Sequence, residues 1–395
     1  MIERKSFKMN RLLKTIIAGV SALTMCISVM PLSASAATIY KKGDVNCDDS
    51  VKSNDLLFIK NFLNGVYRTN NGTITERLDV DQNGIIDIND QNYINDYMLG
   101  NVNDSTITSE NTTTLPAVEK RSYYVYDAQT GTHKTTEDYT IDSTSLTNIP
   151  TSSSNSISTC SIIGGKDERY YESGYNGVVK IGSASSGTFS QIGTAFVVDA
   201  HTILTAAHCV YGKTKLQFQF YSNATTVSKT VNGVKCHIPA QYIANATVNN
   251  ANHMKYDYAL VTVADDLSQY VNFNLGVMRN NATSKGHTLY NTGFGKISAS
   301  DTSDSRYNGV NTNLINGDKY TGYGSFYSTL TSTDYNFKFT TDVLPGNSGG
   351  PVYVVNGNIK TAVGICTQQY PSYNSGVRIT TDILNFVYNN KNLTY

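Results

Sequence analysis

Three short stretches of the 395-residue chain carry side chains that could act together on a carbonyl carbon: LTAAHC around His208, YDYALV around Asp257 and PGNSGGP around Ser348. A serine hydroxyl becomes a useful nucleophile only when a base takes its proton, and that base must be oriented and its charged form stabilised by a carboxylate. His208, Asp257 and Ser348 supply these groups. Gly346 lets the chain turn so that its own amide and that of Ser348 can face one developing oxyanion, each donor contributing roughly 3 to 4 kcal/mol. Taken singly, each residue also fits an ordinary role as core histidine, turn aspartate or loop serine. Together, in apolar local contexts, they point to covalent acyl transfer.

The elements that must position these groups read as strands. NGVVKIGS, GTAFVVDAHTILTAAH, KLQFQFYS, YDYALVTV and YVVNGNIKTAVGICT place β-branched and aromatic residues between Gly, Asn and Ser turns, and only DILNFVYNN near the end suggests a helix. The chain is poor in charge, rich in Tyr and devoid of Trp, which suits an all-β core. Gly346 to Gly350 also fits the GxSxG elbow of α/β-hydrolases, which requires the histidine after the serine. His133, His201, His208, His237, His253 and His287 all precede Ser348, so that elbow is excluded.

The order His, Asp, Ser and the loop PGNSGGP resemble the chymotrypsin-fold serine peptidases, and within them the bacterial glutamyl endopeptidase branch, over 162–395. The resemblance implies two antiparallel Greek-key β-barrels (a trypsin-like, all-β catalytic part) with the polypeptide substrate in the cleft between them. It implies His208, Asp257 and Ser348 as catalytic residues, an oxyanion hole at Gly346 and Ser348, and no catalytic cofactor. Asp342, Cys366, Thr367 and Gln369 become candidates for substrate binding. Asp342 occupies the position that gives trypsin its basic preference, and we read it here as structural. Cys366, in GICT, replaces a histidine that helps glutamyl endopeptidases bind a carboxylate, which argues against glutamate preference. Thr367 to Gln369 are expected to pair with the substrate backbone as an added strand. Asn347 stands where the digestive enzymes have the aspartate that pairs with a new N-terminus, so that charge switch is missing; an amide can instead hydrogen-bond the loop. SIIGGKDERYYES resembles a mature N-terminus, and processing is expected near Ile162 or Ile163.

Two related segments, DVNCDDSVKSND and DVDQNGIIDIND, lie thirty-five residues apart, each followed by a short apolar-periodic stretch ending in Gly. Oxygen ligands at such spacing wrap a hard cation such as Ca²⁺. The second loop offers Asp79, Asp81, Asn83, Asp87 and Asp90, with Gly84 at the sharp turn. The first offers Asp44, Asn46, Asp48 and Asp55, with Asp49 in place of the turn glycine, and is the weaker candidate. The pair resembles a dockerin, a small α-helical calcium-binding module with two EF-hand-like loops, over 40–101. That resemblance implies structural Ca²⁺ and docking into a cohesin module of a scaffoldin, with Ser53, Asn54, Ile88 and Asn89 facing the partner.

Met1 to Ala36 has a basic start, an apolar run from Thr15 to Met30 and small residues before Ala37, the pattern of a secretory signal peptide. A secreted, cellulosome-associated protein without a membrane span is expected. Residues 102–161 read as a linker or a propeptide. With zero net charge and a pI near 7, the chain has no global basic field for nucleic acid. Cys26 leaves with the signal, and of the five remaining cysteines Cys209 and Cys236 are the expected disulfide, closing a loop worth roughly 3 to 4 kcal/mol. The leading reading is a serine endopeptidase; the alternatives are an inactive protease-fold module that only binds polypeptide, and an esterase on the same fold.

Overall fold

The computed structural model describes residues 39–390 except 104, 109–114, 120, 122, 133–160, 173, 175–176, 186, 245–250 and 371. The expected signal peptide, Cys26 and Cys160 lie outside the described residues. Tyr40–Tyr395 forms one compact unit.

Alternating apolar residues build a first barrel. In Leu216–Tyr221, LQFQFY, Leu216, Phe218 and Phe220 are buried while Gln217 and Gln219 are half-buried, the period of a strand with one face inward. Ala259–Val263, Thr202–Thr205, Ser190–Asp199, Val178–Ser183, Leu216–Tyr221 and Val227–Pro239 pair antiparallel in that order, and Val227–Pro239 pairs back to Ala259–Val263, closing six strands. Closure removes exposed edges and fixes the register of the strands that carry His208 and Asp257 at their ends.

The second sheet runs Asn336–Phe339, Tyr373–Arg378, Ile359–Tyr370, Pro351–Asn356, Leu289–Gly293, Tyr320–Gly324, Tyr170–Tyr171. It returns on itself through Tyr327 N to Lys338 O at 2.9 Å, Thr340 N to Ser325 O at 2.9 Å and a bridge from Phe326 to Phe339. One short strand, Asn274–Leu275, pairs parallel with Thr361 and Ala362, so the sheet is not wholly antiparallel. Its core is Leu289, Phe337, Phe339, Val352, Val363 and Cys366. The helix Thr381–Asn390 follows as expected.

Two expectations need correction. Part of the stretch read as a linker is structure: Tyr123–Asp127 adds a strand beside Val227–Pro239, with Tyr126 Oη donating to Val210 O at 2.5 Å. Its YYVY run is buried, which a solvated linker has no reason to be. The N-terminal segment is joined to the rest through the last helix. Phe58, Ile59, Phe62 and Ile86 share one apolar cluster with Ile383, Leu384 and Phe386 of the last helix. Finally, Cys209 and Cys236 are both free. Cys209 Sγ lies 3.5 Å from Ser348 O, aimed at the serine loop, whereas Cys236 sits mid-strand opposite Val261 and Tyr126.

Candidate functional site

His208 opens from the end of strand Thr202–Thr205 on a single helical turn, Ala207–Val210, and Asp257 immediately precedes strand Ala259–Val263, which pairs with that strand. Neighbouring strand ends therefore bring base and carboxylate together. The Asp257 carboxylate accepts twice: Oδ2 lies 2.7 Å from His208 Nδ1, and Oδ1 accepts the His208 amide at 3.0 Å. Two contacts fix the ring as well as its tautomer. Burial opposes the imidazolium, but the Asp257 charge outweighs it and holds the His208 pKa well above its ordinary value. The Asp257 side chain is 3% exposed and that of His208 18%, so the ring keeps an open side.

Ser348 stands on the turn before Pro351–Asn356. Gly346 has φ +105°, and a Cβ there would lie 2.6 Å from Phe294 O, so only glycine fits the turn. Ser348 O accepts from Thr194 N at 2.8 Å, and Gly346 O accepts from Thr194 Oγ1 at 2.6 Å, tying the loop to the first barrel. Among the described residues the amides of Gly346 and Ser348 donate to nothing, and no hydrogen bond joins Ser348 to His208. Catalytic contacts of this kind commonly tighten only around a substrate. A groove of about 790 Å³ reaches Gly346, lined by Phe189, Gln191, Lys296, Tyr307 and Pro345 among others.

Asn347 is buried, and both ends of its amide are used. Nδ2 donates to Asn291 Oδ1 at 2.7 Å, while Oδ1 accepts from Leu344 N at 3.3 Å. A neutral amide thus does the loop-holding that a charged pair would do. Thr194 and Asn291, which hold this loop, were missed in the sequence; neither lies in a motif, and only tertiary contact reveals them.

The candidate substrate groups separate. Asp342 is buried, with Oδ1 accepting from Ile163 N at 2.6 Å and Oδ2 from Glu168 N at 2.9 Å. Desolvation pushes its pKa up to about 6 against the pull of these amides. Both oxygens are therefore held by the chain's own backbone. Cys366 is buried, its amide donating to Gly350 O at 2.9 Å and its carbonyl accepting from Gly349 N at 2.7 Å. Thr367 sits at a bulge between Cys366 and Gln368, buried, and its hydroxyl has no partner among the described residues. Pro351–Asn356 pairs only as far as Ile365, so beyond Cys366 one edge of Thr367–Gln369 carries no strand among the described residues.

The two acidic loops share a backbone. Cys47 and Asp49 in the first, and Gln82 and Gly84 in the second, all take positive φ. In the first loop Asp55 accepts from the amides of Val45, Asn46 and Lys52, while Asp44 accepts from the amides of Asp48 and Asp49 and from Arg77 Nη1 at 2.9 Å. Asn46 is half-buried and Asp48 exposed, and Asn46 Nδ2 donates to Asp48 Oδ2 at 3.3 Å. In the second loop, ligand oxygens of Asp79, Asp81 and Asp90 lie within 4.8 Å of one another, a set that fits a hard cation. Asn83 bonds Asp81 at 2.9 Å, and Asp87 caps the following helix. Burial and mutual repulsion raise the pKa of Asp79, Asp81, Asp87 and Asp90, so the loop calls for positive charge. Ser53 and Asn54 are exposed, whereas Ile88 and Asn89 are half-buried.

Comparison with known proteins agrees with both halves. The Trypsin family matches residues 162–388 and the dockerin type I domain residues 42–110. An "Extracellular metalloprotease" of Bacillus subtilis (strain 168) is 27% identical over 217 residues, 53% of this chain and 62% of that protein, so the chain spans less than two thirds of that relative's length. A solved Glu endopeptidase in complex with MPD covers 59% of this chain and 100% of its own, at 22% identity and a TM-score of 0.44.

Proposed function

Since the chain belongs to the trypsin family and carries a dockerin type I domain, we propose that it is a secreted serine endopeptidase displayed through that domain. The observation that carries this is the doubly bonded His208–Asp257 pair with the serine turn packed beside it. His208 Nε2 takes the Ser348 proton as Oγ attacks the scissile carbonyl, and Asp257 stabilises the imidazolium that forms. The Gly346 and Ser348 amides receive the oxyanion. His208 then protonates the leaving amine, and water, activated by the same base, hydrolyses the acyl-enzyme. The substrate backbone lies along the open edge of Thr367–Gln369.

Dockerin domains bind calcium and cohesins. Here Asp79, Asp81, Asn83, Asp87 and Asp90 would hold one ion and Asp44, Asn46, Asp48 and Asp55 a weaker one, each ordering its loop. Docking to a scaffoldin would place the enzyme outside the cell; among the described residues no helix is long and apolar enough to cross a membrane. Processing between Ile162 and Ile163 would turn the amide on Asp342 into an ammonium, a charge pair on a different aspartate from the one the digestive enzymes use.

A peptide pool and a fluorophosphonate probe test the reading together. Cleavage and labelling that both vanish in Ser348→Ala support it, and separate it from a metal-dependent hydrolase. Ester turnover without peptide cleavage would favour an esterase. The missing Ser348–His208 hydrogen bond favours one rival, a polypeptide-binding module without activity; a folded, processed protein that neither cuts nor labels would establish it.

A further inference from the structure

The outer face of the second acidic loop is occupied by the peptidase. Arg279, 1% exposed, places Nη1 2.6 Å from Asp79 Oδ2, and its own amide donates to Gly84 O at 2.7 Å. Thr361 Oγ1 donates to Asp87 Oδ2 at 2.6 Å, and His287 Nε2 to Asn83 O at 2.7 Å. Ile85–Ile86 pairs antiparallel with Val277–Met278. Gly84 is forced by contact as well as by its φ of +87°: a Cβ there would stand 2.6 Å from the Cα of Ala282. Four separate peptidase groups thus meet one twelve-residue loop.

The first loop gives the comparison. There, the arginine on Asp44 is Arg77, from the dockerin's own helix Gly72–Leu78. In the second loop the matching aspartate takes its arginine from the peptidase. Nε and Nη2 of Arg279 have no partner among the described residues, so Asp79 is the guanidinium's counter-charge.

We propose that the second loop is a cation-dependent clamp holding the dockerin against the peptidase body. Asp79 faces a cation on one side and Arg279 on the other. Asp79, Asp81, Asp87 and Asp90 carry four negative charges when ionised, and one guanidinium leaves three uncompensated. A divalent cation relieves most of that repulsion and sets the backbone of Gly84 to Ile86 in the conformation that Arg279, Val277 and Met278 bind. Without it the carboxylates spread and the peptidase segment 277–287 loses its partner. Coupling runs both ways, so docking against the peptidase also tightens the cation. The clamp would keep the dockerin in place after a cut before Ile163. It rests on reading this loop as a calcium loop and is independent of catalysis.

The test is peptide-resolved hydrogen exchange on the intact Ser348→Ala chain, titrated with calcium after chelation. Calcium should slow exchange in 79–90 and in 277–287 with one midpoint, by at least about tenfold at the paired amides. In Arg279→Met the loop should still respond while 277–287 responds far less. Thr361→Val, which leaves Arg279 in place, should weaken the coupling in the same direction and serves if Arg279→Met does not fold. Protection confined to 79–90 in the unsubstituted arginine chain would overturn the clamp. So would no calcium effect on either segment, or full coupling retained in a folded Arg279→Met.

Discussion

Replacing Thr194 by valine removes one buried hydroxyl and keeps the shape of the side chain. That hydroxyl donates to Gly346 O at 2.6 Å and accepts from Phe294 N at 3.1 Å, so the change orphans a half-buried carbonyl and a buried amide together. At roughly 1 to 3 kcal/mol for the buried amide and about 1 kcal/mol for the half-buried carbonyl, which water can reach, the fold should lose about 2 to 4 kcal/mol. For a domain of this size, that is about 5–15 °C in Tm. The catalytic effect is separate: with its carbonyl untied, the turn at Gly346 can shift at its Cα and carry the Gly346 amide away from the oxyanion position. Losing one such donor costs about 10²-fold in kcat. The assay is kcat and KM on a peptide from the pool, beside thermal unfolding of the same variant in the Ser348→Ala background. A fall in kcat with KM nearly unchanged is expected. Thr194→Val with lowered Tm but unaltered kcat would refute the claim that this hydroxyl sets the oxyanion loop.

Asp257→Asn should cut kcat by about 10⁴-fold, because the amide favours the wrong histidine tautomer. Since Asp257 holds His208 above its ordinary pKa and only the neutral ring is a base, kcat/KM of the parent should rise with pH on a limb above the free-histidine range; the asparagine variant should shift that limb downward. Asp342, at about 6, is raised over an unfolded value near 3.9, so its protonated form stabilises the unprocessed fold. That contribution is complete below about pH 4, is lost as pH rises through about 6, and amounts to roughly 3 kcal/mol. Tm measured against pH should show this slope in the Ser348→Ala chain and lack it in Asp342→Asn. After a cut before Ile163 the ammonium should depress the Asp342 pKa and reverse the slope.

Local sequence determined the candidate chemistry of this protein. His208, Asp257 and Ser348 are legible as a candidate triad because each sits in a short motif whose neighbours serve the same strand end or turn, and the acidic loops are legible as candidate cation loops because their acidic residues lie within twelve residues. Asn347 as an uncharged loop anchor was also within reach, since an amide has its own donor and acceptor. What lay beyond reach depends on residues far apart in the chain. Nothing near Thr194 or Asn291 reports that they hold the serine loop more than fifty residues later. The composition of 102–161 reads as linker, but the part of Val227–Pro239 that runs past its pairing with Leu216–Tyr221 takes Tyr123–Asp127 as a strand. Loop closure put Cys209 and Cys236 at a plausible spacing, yet register turned one thiol toward Ser348 and set the other in the sheet. The dockerin's attachment is the clearest case. Arg279 is two hundred residues from Asp79, and only burial of both between the same surfaces makes them partners. Ligand type and turn geometry are local properties and can be written in a dozen residues; which charge finds which is decided by packing, where exclusion of water makes one distant pairing worth more than any contact nearby.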